Sequence, residues 1–171
     1  MATFIALLRA VNVGGTGKLP MAELRAMCEA LGFTNVRTYI ASGNVVFDTT
    51  GTAAKAKSSL EAVLERYAGK PVGVAIRTAA EMAQVLADNP FADAAPNRAV
   101  AIFLDAAPPA DTMAAVRHRT DEAIAMGRCE IYVHYGDGMA SSKLVIPAAK
   151  SGTARNLNTV AKLAAMAAQG I

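Results

Sequence analysis

The sequence predicts an α+β fold built from two ferredoxin-like (βαββαβ) halves with antiparallel sheets, the second half lacking its last strand. Three observations predict it. The stretch Thr38 to Phe47, TYIASGNVVF, holds two short β-type runs around Ser42-Gly43, a dipeptide suited to a tight turn. Helical patterns stand on either side of it at similar distances. A second hairpin-like stretch, Cys129 to Ser142, sits in a similar setting further along the chain.

Phe4 to Leu8 is apolar at every position, and its length and the glycines after it favour a strand buried on both faces. Ala10 to Pro20 reads as a glycine-containing loop that ends on a residue suited to a helix start. Met21, Leu24, Met27, Cys28 and Leu31 then form one helical stripe, and Gly32 is placed to end it in the left-handed conformation. Val36 to Ala41 alternates, with Val36, Thr38 and Ile40 on one side. After the turn, Val45 to Phe47 returns as a second strand. Ala53 to Tyr67 is helical and is stopped by Gly69 and Pro71. Val72 to Ile76 is a strand. This order is one βαββαβ unit, with its first and third strands in the centre of a four-stranded sheet.

The second half begins with a short helix, Ala79 to Ala87, ended near Asn89-Pro90, and a strand, Ala99 to Leu104. Like Phe4 to Leu8, that strand does not alternate, which predicts burial of both its faces. A helix is expected from about Asp111 to Met126, then a strand at Glu130 to Tyr135. A turn at Gly136-Asp137-Gly138 leads to a return strand at Met139 to Ser142, and a last helix runs from about Asn156 to Ala168. The halves are residues 1–78 and 79–171, packed as one globular unit because no flexible linker separates them.

Composition narrows the function classes. Hydrophobic residues make up 53% of the chain and mean hydropathy is +0.29, much of it from alanine. No apolar run reaches the ~18 residues of a membrane span. Phe4 to Leu8 lacks the basic lead and the small-residue cleavage site of a signal peptide. Cys28 and Cys129 have neither CxxC nor Cys/His spacing, so reduced thiols in a cytoplasmic protein are expected. A net charge of +3 and a pI of about 9.0 permit an acidic partner. No run of five like charges supports nucleic-acid binding. SGNVVFDT lacks the basic lead and paired aromatics of an RNA-recognition strand.

Four stretches contain candidate functional residues. Asn12 to Lys18 (NVGGTGK) lies between a strand and a helix, where the amides of Gly14 and Gly15 could cradle an anion beside Lys18. It is not a P-loop: Leu19 stands where the Mg²⁺-holding hydroxyl belongs, and Asn12 where the first glycine belongs. A plain glycine loop explains the same residues. Lys150 to Thr159 (KSGTARNLNT) places Lys150, Arg155, Asn156 and Asn158 ahead of an apolar helix. Thr153 or Asn156 would serve as N-cap, while Arg155 near the positive helix end calls for a carboxylate or a bound anion. Tyr39, Ser42 and Asn44 of the hairpin either build the turn or line a cleft. Asn89-Pro90-Phe91 reads as a turn with an aromatic anchor. His118 lies in a basic RHR context and His134 in a strand, which suggests neither a catalytic triad nor a metal set. Ser141, Ser142 and Lys143 resemble a Ser-Lys pair only by adjacency.

ALLRAVNVGG, MAELRAMCEALGFTNVRTYIASGNVVF, the NPF of Asn89 to Phe91, and TARNLNTVAKL together resemble the DUF1697 family of proteins of unknown function. The resemblance covers almost the whole chain and implies a cytosolic α/β protein built on a ferredoxin-like duplication. It implies no catalytic residue, substrate or cofactor. Leu157 departs from the aromatic usual in the family, so no ring-stacking role is carried over there.

The reading reached is a protein that binds a small anionic or phosphorylated, nucleotide-like ligand between its halves. Lys18 and Arg155 would be charge partners, Asn12, Asn156 and Asn158 hydrogen-bonding groups, and Gly14 and Gly15 the backbone cradle. The alternatives are a hydrolase or transferase, and a nucleic-acid or protein interaction module. No cofactor, metal or catalytic residue is indicated, and the sequence carries no sign of the oligomeric state.

Overall fold

Strand β1 (Ala2–Leu8) is apolar from Phe4 to Leu8, and all of these side chains are buried. The computed structural model describes residues 1–9, 18–136 and 141–169. Antiparallel neighbours flank β1 on both sides: β3 (Asn44–Thr49), with Phe4 opposite Phe47, and β4 (Val74–Thr78), with Phe4 opposite Thr78. Strand β2 (Thr34–Thr38) pairs with β3 at the edge, giving the order β2-β3-β1-β4.

Alternation sorts the side chains of this sheet. Phe4, Ala6, Leu8, Val45, Phe47 and Val74 share a core with Leu24 and Cys28 of helix α1 (Met21–Ala30) and with Leu60 and Leu64 of helix α2 (Ala53–Ala68). Phe33 stacks on Phe47 with ring centroids 4.2 Å apart. α2 is capped at both ends: Thr52 Oγ1 accepts from the Lys55 N–H at 3.1 Å, and Gly69 closes it with φ +74°. Gly32 follows α1 at φ +87°, the left-handed conformation that its position predicts. Thr78 and Glu81 cap helix α3 (Ala79–Ala87) reciprocally, each side chain accepting from the other's backbone N–H.

The second sheet holds β5 (Ala99–Phe103), β6 (Ala123–Met126), β7 (Glu130–His134) and β8 (Thr153–Asn156), all antiparallel, in the order β6-β7-β5-β8. Every residue of β5 is buried. Val100, Ile102 and Leu104 pack with Ile131, Val133 and Ile146. Helix α4 (Leu157–Gln169) follows β8. The chain divides into two compact units, Met1–Ala83 with Lys162–Ile171, and Gln84–Ala161. The latter part of α4 belongs to the first unit, where the Met166 carbonyl accepts from Arg37 Nη1 at 2.6 Å.

Four sequence expectations are corrected. The second half does not lack its last strand: Thr153–Asn156 pairs along β5, with Arg155 opposite Ala101. Its composition, TARN, hides this, because Thr153 and Arg155 are polar yet buried. The helix expected over 111–126 is absent. Turns occupy 110–115, His118 takes φ +58°, and Ala123–Met126 pairs with β7, so strand pairing overrides the helix preference of an alanine-rich run. The partners of β7 are β5 and β6; Ser141 and Ser142 are not in a strand, and 137–140 lie outside the described residues. Ile40 does not continue β2: it turns to φ +50° and is half exposed, whereas Val36 is buried.

Leu60 is fully buried between α2 and the sheet core. Leu60→Ala is expected to lose about 2–5 kcal/mol in urea unfolding, while Lys55→Ala at an exposed position of the same helix stays within about 0.5 kcal/mol.

Candidate functional site

The residues singled out from sequence occupy different settings. Asn12, Gly14 and Gly15 lie outside the described residues. Lys18 is exposed, just ahead of α1 in the first unit. Arg155 belongs to the second unit and is buried in β8, its Nη1 donating to the Ala154 carbonyl at 2.9 Å. Burial lowers its pKa to about 10, so it stays protonated at neutral pH. Asn156 caps α4, its Oδ1 accepting from the Thr159 N–H at 2.9 Å. Asn158 is exposed in the first turn of that helix.

The hairpin residues form one hydrogen-bonded group. Asn44 is fully buried; its Nδ2 donates to the Tyr39 carbonyl at 2.8 Å and to Ser42 Oγ at 2.9 Å. The Tyr39 N–H donates back to the Asn44 carbonyl at 3.0 Å. The Leu8 N–H donates to the Gly43 carbonyl at 2.8 Å, tying the turn to β1. This is turn chemistry, and it fixes the approach of β2 to β3.

A cleft of about 610 Å³ opens in the second unit, within the usual size range of small-molecule sites. Ile102, Leu144, Val145, Ile146, Pro147 and Ala149 form its apolar wall. Among the described residues, Arg117, Lys150 and Tyr135 are its polar members, and neither Asp nor Glu lines it. Arg117 is held by a two-way backbone bridge to Val145, 2.9 Å in each direction. Tyr135 is half-buried at the end of β7; burial first, and then the charge of Glu122, raise its pKa and keep the phenol protonated. The cleft can therefore offer two cations and a hydroxyl beside an apolar surface. Lys150 belongs to a stretch that its sequence singles out. The sequence pattern alone puts Arg117 in an expected helix and Tyr135 in a strand. The run RHRTDE between apolar segments was the available signal.

A second cavity of about 660 Å³ is lined by His118 to Glu122 and Ser141 to Lys143. Glu122 is its organising group. It is buried; Ser142 Oγ donates to its Oε2, and the Thr120 N–H donates to its Oε1 at 2.7 Å. These bonds, that of Ser142 foremost, outweigh the opposing effect of burial and hold its pKa down at about 2. So weak a base does not activate Ser142 at neutral pH; the contact ties the 141–143 segment to the 118–122 segment. Among the described residues, no three His, Cys, Asp or Glu side chains are grouped to hold a metal ion. Nor is any described helix long and apolar enough to cross a membrane. Burial, followed by Glu29, raises the Cys28 thiol to about 12, so it is unreactive at neutral pH.

Two outcomes test these assignments. Asn44→Ala leaves the Tyr39 carbonyl and Ser42 without their donor and is expected to cost about 1–3 kcal/mol in chemical unfolding. Glu122 has a depressed folded pKa. Its contribution to stability is complete above the ordinary carboxylate value of 4.5 and is lost as pH falls toward about 2. Unfolding curves between pH 7 and pH 2 should therefore show Glu122→Gln less stable than wild type near neutrality, with the gap closing in acid. A gap that stays constant across that range would count against the assignment.

No curated protein matches the chain. Among solved structures, the conserved bacterial protein SP0830 from Streptococcus pneumoniae is similar, with a TM-score of 0.80 and 23% identity over 97% of this chain and 98% of that one. At that identity the likeness is one of fold. The family described as "Protein of unknown function (DUF1697)" matches residues 1–132, and the chain belongs to that family.

Proposed function

We propose that the protein binds a small phosphorylated, nucleotide-like anion in the cleft of its second unit. The observation that carries this reading is that Arg117 and Lys150 share one cleft with the wall of Ile102, Leu144, Val145, Ile146 and Pro147. An apolar moiety would be desolvated on the wall, and a phosphoryl group would meet two cations and the Tyr135 hydroxyl. Binding is favoured over hydrolysis or group transfer because the perturbed carboxylate nearby, Glu122, is shifted away from neutrality rather than toward it. A cytoplasmic location is part of the same proposal; Cys28 and Cys129 form no disulfide, which suits a reducing compartment.

The two sheets are read as copies of one ferredoxin-like unit. Their strand orders differ by four in every number. Arg77 lies opposite Ile5 and donates to the Ile76 carbonyl, while Arg155 lies opposite Ala101 and donates to the Ala154 carbonyl. Each arginine is followed by a residue that caps a helix, Thr78 in one case and Asn156 in the other.

Adenosine monophosphate is the probe for the site. At a hundredfold excess over its Kd it should stabilise the protein by about 2.7 kcal/mol, read as a raised Tm. Adenosine should do far less, and Arg117→Ala with Lys150→Ala should abolish the shift. An unchanged Tm with millimolar nucleotide and with millimolar phosphate would overturn the reading.

A further inference from the structure

We infer that the polar cavity is a second subsite of the same site, and that the ligand carries a chain of at least two phosphoryl groups, as in a nucleoside diphosphate. This rests on the reading above and specifies its ligand.

The two cavities adjoin along one piece of chain. Arg117 and Val145 line the apolar-walled cleft, while His118 and Lys143, at most two residues away, line the polar cavity. The Arg117–Val145 bridge pairs the two segments that line both cavities. His118 is what divides the cations. In a regular strand Arg117 and Arg119 would point to the same side. His118 instead adopts φ +58°, which breaks the alternation. Arg117 then serves one cavity and Arg119 the other. A left-handed histidine carries backbone strain, and such strain persists where the surroundings hold it in place. Here the bridge at Arg117 holds one side, and Arg119 Nε donating to the Glu122 carbonyl at 2.7 Å holds the other.

The charge pattern suits a phosphoryl chain. Arg119 and Lys143 are the cations of the polar cavity. Its carboxylates already have donors: Glu122 accepts from Ser142 and Thr120, and Asp121 Oδ1 accepts from Thr120 Oγ1 at 3.2 Å. Among the described residues, Arg117, Arg119, Lys143 and Lys150 line the two cavities together with the two carboxylates Asp121 and Glu122. A single phosphoryl group at Arg117 and Lys150 leaves Arg119 and Lys143 unused. A second group, continuing past the bridge, reaches them.

Isothermal titration at fixed ionic strength with adenosine mono- and diphosphate tests the inference. Wild type should bind the diphosphate about tenfold more tightly, the gain of roughly one charge-assisted contact. Lys143→Ala, at an exposed position, should remove most of that preference while leaving monophosphate affinity within about twofold. Arg119→Ala, which also removes the Nε bond to the Glu122 carbonyl, should lose the preference too, and Lys55→Ala, an exposed lysine of the first unit, should leave the preference intact. Monophosphate binding without a diphosphate preference overturns this inference and leaves the single-subsite reading standing. A preference that survives both Lys143→Ala and Arg119→Ala overturns it as well. If neither nucleotide binds, both readings are overturned.

Discussion

Burial of both faces of the central strands is the constraint on which the rest of the structure depends. Phe4 to Leu8 in β1 and Ala99 to Phe103 in β5 have no solvent-facing side, so each needs hydrogen-bonded neighbours at its edges and cover above and below. Antiparallel pairing supplies the edges in both units. The cover differs between them. In the first unit α1 and α2 lay apolar stripes on Phe4, Ala6 and Leu8. In the second, Val100, Ile102 and Leu104 are covered by Val116, Leu144 and Ile146, which lie in irregular chain flanking the Arg117–Val145 bridge rather than on helices. Helices pack side by side and close a face. Segments of irregular chain close it less completely, and both clefts open among them.

Several polar groups inside the structure are held by backbone. Asn44 donates to the Tyr39 carbonyl, Arg77 to Ile76, Arg155 to Ala154, and Arg37 to both Asn35 and Met166. The Tyr132 hydroxyl donates to the Val85 carbonyl at 2.7 Å. These bonds offset the desolvation of groups that would otherwise destabilise the interior. They also make the buried arginines structural before they are anything else, which moves the weight of the ligand argument to Arg117 and Lys150.

Much of the first unit was legible because local and tertiary signals agree there. The stripe Leu24, Cys28 and the pair Leu60, Leu64 announce helices, Gly32 and Gly69 end them, and Val45 to Phe47 returns from a turn that Asn44 closes. The central positions of β1 and β3 followed from element order alone. In the second unit the signals conflict. DTMAAVRHRTDEAIAM has the composition of a helix, yet its last residues gain more by pairing with β7. TARN has the composition of a helix cap, yet Thr153 and Arg155 complete a sheet before Asn156 does the capping. The candidate cleft was missed for the same reason: Arg117 can be assigned to it only once the segment around it is known not to be a helix.

The sequence by itself determined the α+β class, the doubly buried central strands, the first four strands with their two intervening helices, and the family resemblance. Those rest on periodicity, caps and turn residues, which act over a few positions of chain. Only the tertiary structure decided that Ala123–Met126 and Thr153–Asn156 are strands, and that Arg117, Tyr135 and Lys150 border one apolar-walled cleft. Sheet pairing and cleft formation join residues far apart in the chain, and their free energy comes from partners that a local pattern does not contain.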